Sequence, residues 1–340
     1  METSVVILNF NGQKWLEKFI PTFIKHSVKD AKIYVIDNGS NDNSIAFLKQ
    51  NYKEIIIISL DKNLGFAGGY NEGLKQINSK YYIIVNSDIE VTKNWIPPLI
   101  EVLKNNPDIV AVQPKILSFQ NKNKFEYAGA AGGFIDFLGY PFCKGRVFDF
   151  TESDEGQYNQ YSEIFWASGA CMAIKAKEFI DVGGFDESFF AHMEEIDLCW
   201  RLKNLGKNIF YTSDSTVFHV GGGTLNYNSS KKTYLNYRNN LWMIHKNYKG
   251  KVPLFIFILI RIKLDLISGI KLLISGDFKN FIAILKAHIN YIKSINQIQN
   301  KRNKIDTLKF SSHTGYCKKS IIWNYFFLNK KKYSDISINQ

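Results

Sequence analysis

Apolar runs and polar turns alternate through the first ninety or so residues of the chain. Residues 4–9 (Ser-Val-Val-Ile-Leu-Asn) are almost wholly apolar and end in the turn cluster Asn9-Phe10-Asn11-Gly12. A run without apolar–polar alternation, closed by turn residues, predicts a buried strand. Residues 31–36, 55–60 and 81–85 repeat the pattern. Between them, residues 14–27 place Trp15, Phe19 and Phe23 at helical spacing, interrupted by Pro21, and residues 45–50 and 70–77 read as further helices. Strands alternating with helices predict an α/β domain with a mainly parallel, Rossmann-like sheet flanked by helices. Ligands of such sheets sit beyond the strands' carboxyl ends, where Asn9, Asp37, Asn63 and Asp88 all fall.

Further along, residues 95–105 predict a helix with Pro97 and Pro98 in its first turn, and residues 109–115 a strand. The pattern dissolves over 120–162, expected to be irregular loops that contact an acceptor. A strand rich in small residues follows at 167–174, then a helix at 194–205 ended by Gly206. A strand at 208–212, a flexible loop at 219–224 and a helix at 227–248 complete the first domain, set at 1–248. Residues 249–340 are expected to form a helical appendage. Its first segment, 252–260, is nine apolar residues, short of the roughly 20 that span a bilayer. Arg261, Lys263, Asp265 and Lys271 interrupt the continuation, so an interfacial helix is expected, with Arg261, Asp265 and Ser268 on its polar side. In 278–296, Lys279, Lys286 and Lys293 form one stripe, with Phe281, Ile282, Leu285 and Ile289 expected opposite. The bland alternative for both segments is an amphipathic helix packed on its own domain.

Charge sharpens this division. The net charge is +12, yet residues 1–250 are balanced and residues 251–340 carry 16 Lys and Arg against 4 Asp and Glu. A neutral body with a basic tail implies an anionic surface, either membrane or nucleic acid, and the apolar helices favour membrane. The four cysteines are widely spaced with no C-x-x-C pair, which excludes a zinc ribbon and fits a reducing compartment. No secretion signal is read at the N-terminus, and the expected location is cytoplasmic, at the inner face of the membrane.

Several polar clusters carry candidate chemistry. Gly65, Gly68, Gly69 and Gly73 surround a strand-to-helix turn that either admits a phosphate or simply packs tightly; they match neither dinucleotide nor P-loop patterns. Asp37 can accept hydrogen bonds from a nucleoside, or cap the next helix. Asp88 follows Asn86-Ser87 at a strand end, where one carboxylate can hold Mg²⁺ against a diphosphate. His219 as a second ligand would favour Mn²⁺, though a lone histidine is more often structural. Glu194, Glu195 and Asp197 open a helix; they suit its dipole, and their crowding raises at least one pKa, as a general base needs. His192-Met193-Glu194-Glu195-Ile196 is not H-E-x-x-H, so a zinc protease is excluded.

These stretches, taken in order over about residues 3–245, resemble the inverting glycosyltransferases of family 2, which have the GT-A fold, and among them the rhamnosyltransferase-type bacterial enzymes of surface polysaccharide assembly. The matching text is residues 5–12, 35–42 and 63–71, Asn86-Ser87-Asp88, residues 168–172 and 183–201, His219 with its glycines, and the cluster Tyr234, Tyr237, Arg238, Asn239. The resemblance implies that Asn9, Asn11, Asp37, Asn63, Gly65, Gly68, Asn86 and Arg238 line the nucleotide-sugar site. It implies a divalent cation, Mg²⁺ or Mn²⁺, on Asp88 and His219, and a base at Glu195 with Asp197 taking part. Glu195 stands where the family pattern has Asp, and Asn86 where it has the first Asp of D-x-D. The implied donor is a nucleotide diphosphate sugar and the acceptor a glycan or glycolipid hydroxyl. A nucleotidyltransferase with the same pocket is the alternative enzyme class; nucleic acid is not an expected partner.

Overall fold

A computed structural model describes residues 1–221, 229–305 and 313–336. Its N-terminal half runs β1 (Thr3–Asn9), α1 (Gln13–Ser27), β2 (Lys32–Asp37), α2 (Ser44–Asn51), β3 (Ile55–Ser59), α3 (Gly65–Leu74), β4 (Tyr81–Asn86), β5 (Ile89–Val91), α4 (Ile96–Asn105) and β6 (Ile109–Ser118). Short strands follow: β7 (Gly133–Asp136), β8 (Pro141–Cys143), β9 (Arg146–Val147), β10 (Phe150–Thr151) and β11 (Ser162–Ile164). Next come β12 (Cys171–Lys175), α5 (Ala176–Asp181), α6 (Glu194–Asn204), β13 (Asn208–His219) and α7 (Ser230–Asn247). The appendage comprises α8 (Leu254–Ile274), α9 (Phe278–Lys293), α10 (Ile295–Asn303) and β14 (Tyr316–Cys317).

The large sheet has the order β11-β13-β6-β12-β4-β1-β2-β3, with β5 beside the end of β13. From β3 to β4 every pairing is parallel, as the apolar runs predict. The other half is mixed: β12 lies antiparallel between β4 and β6, while β13 is parallel to β6. Alternate residues of the continuous apolar runs supply both faces. Val5, Ile7, Val35 and Val85 meet α1, α2 and α4 on one side; Val6, Ile36 and Ile84 meet α3, α6 and α7 on the other. Pro21 lies on the exposed side of α1, which continues unbroken past it.

Two expectations change. The stretch 120–162 is not mere loop: β7 to β10 form a small antiparallel sheet that β14 extends by pairing parallel to β7. The strand expected to stop at residue 212 continues to His219, after a register shift against β6 between Thr212 and Thr216. That bulge carries β13 to the tip of β4, and places His219 opposite Ile89. Residues 222–224 of the expected glycine loop lie outside the described residues, as does the start of the helix expected from 227.

Candidate functional site

At the ends of β1 and β2, Asn9 and Asp37 face each other. Asn9 Nδ2 donates to Asp37 Oδ1 at 2.9 Å and the Ser40 amide to Oδ2 at 3.0 Å, leaving each carboxylate oxygen further accepting capacity. Asn9 Oδ1 is buried without a partner. Asn11, in the left-handed region at φ 49°, accepts the Asn41 amide at 2.8 Å, so the two turns close on each other. Asn38 donates to the Gly65 carbonyl, and Asn63 Oδ1 accepts the Gly65 amide at 2.8 Å. Gly65 itself, at φ 75°, comes so close to the Phe190 carbonyl that a side chain has no room. This joins the glycine turn to the loop that leads into α6. Gly68 faces Leu64, Gly69 the side chain of Leu8, and Gly73 that of Ile36, so these three serve close packing of α3.

At the end of β4, three buried polar side chains converge. His219 Nε2 lies 3.2 Å from Asp88 Oδ1 and 3.4 Å from Asn86 Nδ2, and its Nδ1 lies 3.1 Å from Glu126 Oε2. Burial opposes charge on the ring, but the carboxylates on either side outweigh it and push the His219 pKa up to about 10. For Asp88 burial also favours the neutral acid, and the imidazolium wins, holding its pKa below the usual value. Glu126 was not foreseen; it lies in the stretch that shows no periodicity. Among the described residues no group of three or more His, Cys, Asp or Glu side chains is arranged to hold a metal unaided. One carboxylate and one imidazole would fit a divalent cation that displaces the proton shared by His219 Nε2 and Asp88 and takes its remaining ligands from phosphate and water, with Glu126 orienting the ring from its far nitrogen.

The acid-bearing loop joins the glycine turn, at Gly65, to the turn before β12, at Gly169. Phe190, His192 and Met193 all have φ between 65° and 72°, a costly run for non-glycine residues. Asn239, fully buried on α7, holds this conformation by donating to the carbonyls of Phe189, Ala191 and His192 at 3.0, 2.9 and 2.7 Å. Arg238, expected at a phosphate, donates instead to the carbonyls of Ser188 and Phe189 and lies over the Trp242 ring. It braces the loop from the protein side.

Glu194 and Glu195 follow at the N-terminus of α6, each with one buried, unpartnered carboxylate oxygen. Burial raises the pKa of both, that of Glu195 to about 7, with the amides of Glu195, Ile196 and Met193 pulling the other way. The Glu195 Cβ packs 3.6 Å from the position of a side chain on Gly169, and the next residue, Ala170, accepts the Asn86 amide at 3.0 Å. Gly169 and Ala170 thus link Glu195 to the strand that ends in the Asn86–Asp88 turn. Asp197 is elsewhere. Fully buried one helical turn on, it takes Arg201 Nε at 2.9 Å, Lys246 Nζ at 2.7 Å and Asn247 Nδ2 at 2.7 Å. With both oxygens occupied by donors, Asp197 is an anchor between α6 and α7 and not a second base.

The family model for Glycosyl transferase family 2 matches residues 4–182, more than half of the chain. The chain belongs to this family. It is a glycosyltransferase, and the nucleotidyltransferase alternative falls. The sequence is 24% identical over 233 residues to the N-acetylglucosaminyl-diphospho-decaprenol L-rhamnosyltransferase of Mycobacterium tuberculosis, covering 63% of this chain and 75% of that one. Its fold is similar to that of GalNAc-T7, solved with UDP, GalNAc and Mn²⁺, at a TM-score of 0.55 and 16% identity, over 72% of this chain and about half (48%) of that one. It is also similar to the mannosyltransferase PcManGT from Pyrobaculum calidifontis, solved with GDP-Man and Mn²⁺, at a TM-score of 0.53 and 11% identity, over 86% of this chain and 87% of that one. As a family 2 glycosyltransferase, the chain has the GT-A architecture that its motifs predict.

Proposed function

We propose that this glycosyltransferase moves a sugar, rhamnose being the leading candidate, from a nucleotide diphosphate donor to a hydroxyl of a lipid-linked surface glycan, with inversion. The observations that carry the reading are the Asp88–His219 pair and the packing of Glu195 against Gly169, whose neighbour Ala170 accepts the Asn86 amide two residues before Asp88. Asn9, Asp37 and Asn63 border the nucleoside end, where Asp37 keeps accepting capacity and Asn9 Oδ1 lacks a partner. Asp88 and His219 would hold a divalent cation, which supplies positive charge to the departing diphosphate. Glu195, raised to a pKa of about 7, is the base. The acceptor oxygen attacks the anomeric carbon, its proton passes to the Glu195 carboxylate, and the bond to the diphosphate oxygen breaks. No covalent intermediate forms, so the configuration inverts. The M. tuberculosis relative, named for a diphospho-decaprenol acceptor, supports a lipid-linked acceptor. The basic charge of 251–340 supports a peripheral position at the inner face of the membrane; among the described residues no helix is long and apolar enough to cross one.

Thermal melting with a panel of nucleotide diphosphate sugars, with Mn²⁺, Mg²⁺ or chelator, tests the donor half of this reading. A matched donor at 100 times its Kd stabilises by about 2.7 kcal/mol. The expected result is that one donor raises the melting temperature only with the cation, and that Asp88→Ala abolishes the cation-dependent part. A shift indifferent to both cation and Asp88 contradicts it.

A further inference from the structure

Helix α8 is mounted inside out. Two of its four charged residues face the protein: Arg261 and Asp265 are 2% and 1% exposed, while Lys263 and Lys271 are exposed. Arg261 donates to the Leu138 carbonyl and Asn240 Oδ1 and stacks over the Tyr140 ring, while Asp265 pairs with His288 of α9 at 3.3 Å. The side expected to meet water is thus buried. The outward face is mainly apolar instead, with Phe255 67%, Ile267 64% and Ile274 83% exposed, and Leu259 and Ile270 between them; Lys263 is the one cation within this stripe. On α9, too, Ile282 and Ile289 are not opposite the lysines but share the exposed side with Lys279, Lys286 and Lys293.

The pattern is concentrated in the appendage. Among the described residues, 17 of the 25 exposed large hydrophobic side chains lie after residue 251, in about a quarter of the chain. Near the C-terminus Trp323 and Phe327 stack on each other, both more than half exposed, just before Lys330, Lys331 and Lys332. That segment adjoins α8, since Lys271 lies 5.5 Å over the Phe326 ring. Patches of this extent mark an interaction surface.

We propose that the outward stripe of α8 and the Trp323–Phe327 pair insert into the interfacial region of an anionic lipid bilayer, with the lysines on headgroup phosphates. The inference rests on the peripheral reading above and adds to it which side chains enter the lipid. Charge selects the occupant: a patch this apolar within a segment of 16 cations and 4 anions repels a second copy of itself and attracts an acidic surface. Insertion of isoleucine and aromatic side chains beneath headgroups also makes attachment resist salt, unlike adsorption by lysine alone.

The test is flotation of the full chain with phosphatidylcholine vesicles, with and without phosphatidylglycerol, at low and high salt. Ile267→Gln/Ile270→Gln/Ile274→Gln and Trp323→Ser/Phe327→Ser are the variants; the replaced side chains are exposed, so circular dichroism and melting should match wild type. The expected result is wild-type binding to anionic vesicles that persists at high salt, weakened by roughly one to two orders of magnitude in either variant. Variants that float like wild type, or binding abolished by salt, overturn the inserted face and leave peripheral attachment by lysines standing. No flotation of the wild type overturns both. Light scattering that finds a dimer, made monomeric by the isoleucine variant, assigns the face to a second copy and overturns the lipid.

Discussion

Replacing Glu195 with glutamine is expected to lower kcat by about 10²- to 10⁴-fold, the range for losing a positioned general base. Donor affinity should stay within about threefold, because the amide has nearly the shape of the carboxyl and, on the proposed reading, the diphosphate is held from the Asp88 side. The reason lies in where Glu195 sits. At the start of α6, burial makes its charged form costly, while helix-terminal amides limit the rise, and the two leave a pKa of about 7. The base must be ionised to accept the acceptor's proton. In wild type kcat should therefore climb as the pH rises through about 7 and level off above it, falling about tenfold per pH unit on the acid side. Glu195→Gln should lose that limb along with the rate, which steady-state assays across neutral pH would read directly.

Asp197→Asn is expected to behave oppositely, destabilising the protein by about 3 kcal/mol while retaining the acid limb near pH 7. Arg201 and Lys246 both rest on this carboxylate in a site without solvent access. Partial relief is built in: Lys246 also contacts Asp186 at 2.7 Å, and Arg201 donates to the carbonyls of Val182 and Gly184. The loss therefore sits at the lower end for a broken buried pair, yet is a large share of an ordinary folding free energy of about 5 to 15 kcal/mol. Urea denaturation and the pH–rate profile of the same variant together separate anchor from base.

The parallel half of the sheet was legible because β1, β2 and β4 are buried on both faces, which strips their sequences of alternation. The strand-end positions of Asn9, Asp37 and Asp88 follow from that topology. The small sheet was not legible: strands of two to four residues among glycines and aromatics have no room for a period. Glu126 was hidden with it, since only the fold brings residue 126 to His219. For α8, periodicity identifies two faces but not which one meets the body; Tyr140, Asn240 and His288, distant in sequence, decide that. Asp197 and Glu195 look equivalent as text. What separates them is Lys246 and Asn247, some fifty residues away on α7.

The most direct test is a paired titration of the matched nucleotide diphosphate sugar, with Mn²⁺, into Glu195→Gln and Asp88→Ala, with turnover measured in the same samples. Donor binding near the wild-type level with turnover lost in the first variant, and cation-dependent binding lost in the second, is the predicted outcome. Near-normal turnover by Glu195→Gln, or undiminished cation-dependent binding by Asp88→Ala, would contradict the division of labour between the two ends of the site.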